Sequence, residues 1–437
     1  MKIYKKGDKK LLNAWAFYDW ANSVYPLVIS TAIFPIYFKN ITNGETIDFL
    51  WFKSIENDAF IGYTSSFTFM ILAIISPILS GIADSSGYKK LFMKIFCYMG
   101  SISCIMLYNF DMNNFDIGII YYFLAIIGFW GSLVFYNSYL PDIAHINQQD
   151  FISAKGYSLG YVGSTALLIL NLLLMEYHDV LNIENKSEAV KISFVSVGIW
   201  WLLFSQYSFY YLPGRKFYNI PNKTNLFTRN TLLSGYKQLL YVFNKLKSDK
   251  KLNIFLLSFF IFTIPVQTII LLASYFGADL DEISWLDKDT MQSGLILAII
   301  VIQLVAALGA YLSAKISSLY GNINALILFN ILWATICIYG YFVTSPNEFY
   351  LAAGFIGLAM GGIQSLSRST FSKFIESKSS TSYFSFYDVS QKLSIVLGTA
   401  IYASIDQITG SIRLAILFFA LFFIPAILLL LRINKSN

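Results

Sequence analysis

Charge is scarce in this chain. Of its 437 residues only 13% are Asp, Glu, Lys or Arg, about half the usage of an ordinary soluble domain. A water-exposed globular surface of normal composition is therefore excluded. Histidine occurs only at His145 and His178, both in short connections between apolar runs, and cysteine only at Cys97, Cys104 and Cys337. The cysteines fall inside apolar runs and read as small buried hydrophobes, neither disulfides nor metal ligands. No GxxxxGK[ST] phosphate loop occurs. In Gly81–Lys90 five residues separate the glycines, and Tyr88 stands where the lysine is required. HExxH and CxxC are also missing. With no catalytic constellation, cofactor motif or metal-ligand spacing, an enzyme is not expected, and neither is ATP as an energy source.

Apolar sequence is what the chain has in excess: 56% of residues are hydrophobic, arranged in blocks of about 20 or more, each long enough to span roughly 30 Å of hydrocarbon as a helix. A transmembrane barrel would show alternating segments of about 10 residues instead. The spans fall at 12–38, 59–82, 91–110, 116–138, 154–175, 189–212, 252–276, 291–314, 323–343, 349–374, 383–405 and 411–432. The fold class expected is an all-α membrane protein of twelve transmembrane helices. Five lysines precede the first apolar run, but the run is too long for a signal peptide and contains Asp19, so it reads as a retained span.

Basic residues occupy every second gap. With twelve spans, twenty-three Lys and Arg fall on the side of both termini and six on the other, where Asp279, Asp281, Glu282, Asp287 and Asp289 cluster. Basic loops mark the cytoplasm, so both termini are expected there. The net charge of +6 is topogenic by this reading and implies no nucleic-acid partner. The longest connection carries Leu232, Leu233, Tyr236, Leu239, Leu240, Phe243 and Leu246 at helical spacing with lysines between, a basic amphipathic helix suited to a membrane surface. The layout expected is a six-helix bundle over 1–212, a cytoplasmic linker over 213–251, and a second six-helix bundle over 252–437, as in a duplicated transporter.

Polar residues inside the spans nominate the functional positions. Asp19, Asn22, Ser23, Pro26 and Ser30 share one helical face. A carboxylate at the helix centre costs about 2.5–3.5 kcal/mol on insertion scales, so Asp19 must be paired, protonated or hydrated. It is either a proton or cation site on a water-filled cavity or a carboxylate pinned by another helix. Span four offers Trp130, Tyr136 and Asn137. Span seven has Gln267 two residues after Pro265, and span eight has Gln303 above Ala306, Ala307 and Ala310. Span ten places Gly354, Gly357, Gly361, Gln364, Ser365 and Arg368 on one stripe, whose glycines allow another backbone to approach closely. Arg368 either pairs with Asp19 or an anionic substrate, or anchors the helix end by snorkelling. Asp388 and Lys392, four apart, either pair within their helix or exchange partners with Asp19.

Between spans two and three, Ser80-Gly-Ile-Ala-Asp84-Ser-Ser-Gly87-Tyr-Lys89-Lys90 resembles the signature loop of the major facilitator superfamily. Asp84, Gly87, Lys89 and Lys90 match it, Ser80 and Ser85 depart from it, and its second-half counterpart near Ala314–Gly321 has Ser318 where an acid is expected. A narrower resemblance, to the vacuole-effluxer-like (Atg22-like) branch, is carried by Trp15-Ala-Phe-Tyr18-Asp19-Trp20-Ala21-Asn22-Ser23, Phe135-Tyr136-Asn137-Ser-Tyr-Leu-Pro141-Asp142, Ser153-Ala-Lys-Gly156-Tyr-Ser-Leu-Gly160, Gly361-Gly-Ile-Gln364-Ser-Leu-Ser367-Arg368 and Phe384-Ser-Phe-Tyr387-Asp388. The resemblance implies the major facilitator fold and a secondary transporter working by alternating access, proton-coupled, with amino-acid efflux as a lead. Asp19 is then the proton-coupling residue. Asn22, Trp130, Tyr136, Asn137, Gln267, Gln303, Gln364 and Arg368 bind substrate, and Asp84, Gly87, Lys89, Lys90, Asp142, Asp388 and Lys392 serve gating. No cofactor or metal is expected. The partners are a small solute, protons and membrane lipid, the chain acts as a monomer, and a bacterial inner membrane is the expected location. A membrane sensor without transport and a lipid translocator are the alternatives.

Overall fold

A computed structural model describes residues 5–42, 46–49, 52–55, 57–215, 229–277, 283–285 and 287–435. Residues 216–228 of the expected linker, and Asp279, Asp281 and Glu282 of the acidic cluster, lie outside the described residues. The helices are α1 (Lys9–Asn22), α2 (Phe34–Ile41), α3 (Asn57–Ser86), α4 (Lys89–Met106), α5 (Phe115–Asn137), α6 (Leu140–Ile143), α7 (Gln149–Glu176), α8 (Lys186–Tyr211), α9 (Arg229–Ser248), α10 (Lys250–Gly277), α11 (Lys288–Tyr320), α12 (Asn322–Phe342), α13 (Pro346–Phe374), α14 (Ser380–Thr409) and α15 (Ile412–Lys435). Among the described residues eleven helical stretches are long and apolar enough to cross a bilayer. The twelfth span is α14, 30 residues long, whose serines, Asp388, Gln391 and Lys392 lower its hydropathy. Between α2 and α3 the strands β1 (Ile47–Phe49) and β2 (Phe52–Ile55) pair as an antiparallel hairpin, which the hydropathy pattern did not foretell.

The first span is not one regular helix. After α1 the chain widens into a π-helical stretch, Tyr25–Ile33, before α2 resumes the α-helix. Pro26, at the start of the wide turn, has no N–H to give the ladder. The Phe34 N–H reaches back five residues to the Ile29 carbonyl, and the Thr31 hydroxyl donates to the Pro26 carbonyl at 2.9 Å. Wide turns of this kind cost regular hydrogen bonding and concentrate at functional sites.

Packing divides the chain into two compact units, one of Met1–Tyr139 with Val162–Leu239, the other of Leu140–Tyr161 with Leu240–Asn437. In the first, α4 and α5 touch backbone to backbone: a Cβ on Gly128 would stand 2.4 Å from the Gly100 Cα. The α8 side chains grip α1, with Ser208 Oγ donating to the Ala14 carbonyl at 2.6 Å and Trp200 Nε1 to the Trp20 carbonyl at 3.1 Å. Gly87, at φ +73°, ends α3, a conformation that only glycine adopts without cost. The lysines that follow reach helix C-termini, Lys89 Nζ to the Ser138 carbonyl (3.2 Å) beyond α5 and Lys90 Nζ to the Leu212 carbonyl (2.7 Å) beyond α8. Those carbonyls lack intrahelical partners and carry the negative end of the helix dipole.

In the second unit α11 and α13 pack along the glycine stripe. A Cβ on Gly357 would lie 2.4 Å from the Ile302 carbonyl oxygen, and one on Gly361 only 1.9 Å from that of Ala306. Beside them Phe255, Phe259, Phe371, Phe384 and Tyr387 form an aromatic core.

Candidate functional site

The last turn of α1 brings the polar face of the first unit together. Asp19 is buried and accepts a 2.8 Å hydrogen bond from the Tyr136 hydroxyl of α5. Tyr136 is itself fixed. Its ring stacks on Trp15 with centroids 4.6 Å apart, lies 5.0 Å from Tyr18, and its carbonyl accepts from Trp15 Nε1 at 2.9 Å. One turn after Asp19 comes Asn22, fully buried, with its Oδ1 3.5 Å from Ser23 Oγ. Its Nδ2 has no hydrogen-bond partner among the described residues. A buried donor left unpaired costs about 1–3 kcal/mol. The carboxylate and this amide sit immediately before the π-helical turn. Asn137 is half-buried at the end of α5, and Trp130, also half-buried, meets Phe69 and Phe129 edge to face. Asp84 is half-buried in the last turn of α3.

In the second unit the polar positions gather along the first half of α7. Arg368 of α13 is buried and donates through Nε to Ser153 Oγ (3.0 Å) and through Nη2 to the Ser153 carbonyl (2.8 Å). Its guanidinium centre lies 4.0 Å over the Tyr157 ring. The Tyr161 hydroxyl donates to Gln364 Oε1 at 2.7 Å. Asp142 is buried and accepts from Ser380 Oγ at 3.3 Å. Asp388 and Lys392 are buried and paired within α14. Gln267 and Gln303 are half-buried on α10 and α11, apart from these clusters in the contacts described.

Sequence reasoning missed an ionic node. The Asp150 carboxylate accepts from Lys373 Nζ (2.6 Å), Asn322 Nδ2 (2.7 Å) and Ser317 Oγ (3.0 Å). Asp150, Ser153, Tyr157, Ser158 and Tyr161 recur at helical spacing on α7 and each meets a residue of the second unit. A polar stripe on an otherwise apolar span was the available signal, but the glycines interleaved with it drew the reading toward packing. Gly156-Tyr-Ser158-Leu-Gly160 also spells the GxSxG of hydrolases. That motif needs a strand-to-helix elbow. Here it lies inside α7, and Ser158 Oγ donates to the Ala307 carbonyl at 2.8 Å.

The family model described as "Vacuole effluxer Atg22 like" matches residues 7–437. The chain belongs to that family. Among relatives of this Atg22-like member, the uncharacterized MFS-type transporter YxiO of Bacillus subtilis is 29% identical, over all of this chain and 97% of the relative. Autophagy-related protein 22-1 of Penicillium rubens is 23% identical over 91% of this chain and 79% of the relative. Two solved structures share the fold. The major facilitator transporter FucP in its outward conformation superposes with a TM-score of 0.68 at 13% identity, covering 97% of this chain and 98% of FucP. The human organic anion transporter MFSD10 gives 0.71 at 11% identity, covering 97% and 99%. The Atg22-like chain is thus a multi-pass integral membrane protein with twelve transmembrane helices in two six-helix bundles, the major facilitator fold, and a member of a transporter superfamily.

Proposed function

We propose that this Atg22-like protein is a secondary active transporter that exports a small solute, with amino acids the leading class, by proton-coupled alternating access. The observation that carries the reading is the Asp19–Tyr136 pair, set beside the Asn22 amide nitrogen, which has no partner among the described residues, at the α-to-π switch of the first span. A carboxylate at membrane depth costs about 2.5–3.5 kcal/mol, and an unpaired amide adds to that. Groups so expensive are retained where a ligand or proton uses them. In this reading Asn22, Trp130, Tyr136, Asn137, Gln267, Gln303, Gln364 and Arg368 contact solute. Asp84, Gly87, Lys89, Lys90, Asp142, Asp388 and Lys392 serve the gates. The word "effluxer" in the family description supports the direction, the Bacillus relative supports a bacterial cell membrane, and the basic loops support cytoplasmic termini. The transporting unit is a monomer.

A proton drives transport only if it favours one access state over the other. Asp19→Asn fixes the site in its uncharged form. In proteoliposomes it should abolish accumulation driven by a pH gradient while leaving solute exchange at equal pH intact. Unchanged pH dependence in the variant would remove Asp19 from the mechanism.

A further inference from the structure

The contacts above leave the amphipathic helix α9 without a role. Its apolar residues divide into two faces. One is held in the protein: Val242 and Leu246 are buried, and a Cβ on Gly235 would stand 2.8 Å from Ile82 of α3. The other faces outward. At about 100° per residue, Leu233, Tyr236, Leu240 and Phe243 fall in one arc, centred roughly a third of a turn from the buried face. All four are exposed, Tyr236 by 60%. Lys237, Asn244 and Ser248 lie beyond them, toward the polar side. A contiguous exposed stripe of large apolar residues marks a surface made to be covered. Its place in the fold says by what. Ile82 is four residues before the end of α3, and Phe386, whose ring centroid lies 6.1 Å from that of Phe243, is six residues into α14. At 1.5 Å per residue these contacts stand about 6 and 9 Å inside their helix ends. Interfacial amphipathic helices rest at that depth, with the apolar face roughly 5–10 Å into the boundary between headgroups and tails.

We infer that the outward stripe of α9 is a docking surface for anionic phospholipid of the cytoplasmic leaflet. Leu233, Tyr236, Leu240 and Phe243 enter the border of the tails, and Lys237 and Lys247 take headgroup phosphates. Charge selects the lipid class. The helix carries Arg229, Lys237, Lys245 and Lys247 and no Asp or Glu. Lys245 is matched by Glu376, at 3.7 Å. The Lys247 ammonium lies 4.4 Å over the Phe243 ring, so a cation and an apolar ring occupy one spot, as a phosphate above an acyl chain requires. Zwitterionic lipid would cover the stripe but bring no net counter-charge. An anionic headgroup supplies both, and each lysine near such a surface is worth about fivefold in affinity. This surface stands apart from the solute site and does not depend on the transporter reading.

The test uses the purified full chain in nanodiscs and two readouts. The first is depth. A bimane label is placed at Tyr236→Cys, on the stripe, and at Ser248→Cys, on the polar side. The native cysteines are buried, and labelled wild type gives the background. The Tyr236→Cys label should be quenched by phosphatidylcholine bearing a nitroxide at the top of its acyl chain and shielded from aqueous iodide, and the Ser248→Cys label should show the reverse. A Tyr236→Cys label as open to iodide as that at Ser248→Cys overturns the inference and leaves a cytosolic protein as the partner. The second readout is lipid charge. Phosphatidylglycerol added to phosphatidylcholine nanodiscs should raise the unfolding temperature of wild type in a saturable, salt-sensitive way. Lys237→Gln/Lys247→Gln should need at least fivefold more phosphatidylglycerol for the same rise. Lys315→Gln/Lys378→Gln removes equal charge from exposed positions off α9 and should respond as wild type does. An equal loss in the two double variants, or none in the α9 variant, overturns the assignment of α9 as an anionic-lipid site.

Discussion

Asp19 and Tyr136 are 117 residues apart in the chain, yet their oxygens lie 2.8 Å apart. The hydroxyl is the only part of Tyr136 that Phe lacks, while the stack on Trp15 depends on the ring. Tyr136→Phe therefore isolates one hydrogen bond to a carboxylate, worth about 1.5–3 kcal/mol. The variant should fold with a modestly lowered unfolding temperature, and its proton-driven flux should fall about tenfold or more while solute exchange falls far less. Flux in both modes, measured on the same proteoliposomes, checks this. Equal losses in the two modes would reduce the contact to a structural one.

Helix packing gives a sharper contrast between neighbouring positions. Gly361 and Gly354 belong to the same stripe of α13, and the spacing alone treats them alike. A methyl at Gly361 would meet the Ala306 carbonyl oxygen at 1.9 Å, whereas one at Gly354 meets nothing within 4 Å. Gly361→Ala should cost about 1–3 kcal/mol by forcing α11 and α13 apart. Gly354→Ala should be neutral or stabilising by up to about 1 kcal/mol, since Ala is the better helix former. Thermal unfolding in detergent compares the two, and a matched loss at both positions would contradict the packing described.

Over the whole molecule, two features decide how the chain is assembled. The first is the node that ties the start of α7 into the second unit. Lys373→Met leaves Asp150 with Asn322 and Ser317 but without its cation, at an expected cost of about 2–4 kcal/mol for a part-buried pair. The reversed pair Asp150→Lys/Lys373→Asp should recover part of that loss. A double-mutant cycle on unfolding temperatures measures the coupling, and additive losses would show that the ion pair is incidental. The second is sidedness. Because basic residues crowd one set of loops, a fluorescent reporter fused after Asn437 should light up in the cytoplasm. A reporter that functions only on the outer side would reverse the assignment of every loop.

The family was legible in the sequence because its motifs are contiguous stretches, and the spans because they rest on a property that adds along the chain, as the expected sidedness does. Transfer of apolar residues into lipid and retention of lysines outside it are summed residue by residue, whatever the neighbours. The Asp388–Lys392 contact was equally open to reading, since four residues make one helical turn. Only the tertiary structure put Tyr136 on Asp19, Ser153 under Arg368 and Lys373 on Asp150. Those meetings depend on how each helix is rotated and how closely its neighbour approaches, and both are set by which side chains interlock. The widened turn after Asn22 belongs to the same class. Pro26 marks where regular hydrogen bonding fails, but that the chain widens into a π-helix over Tyr25–Ile33 is seen only in the structure.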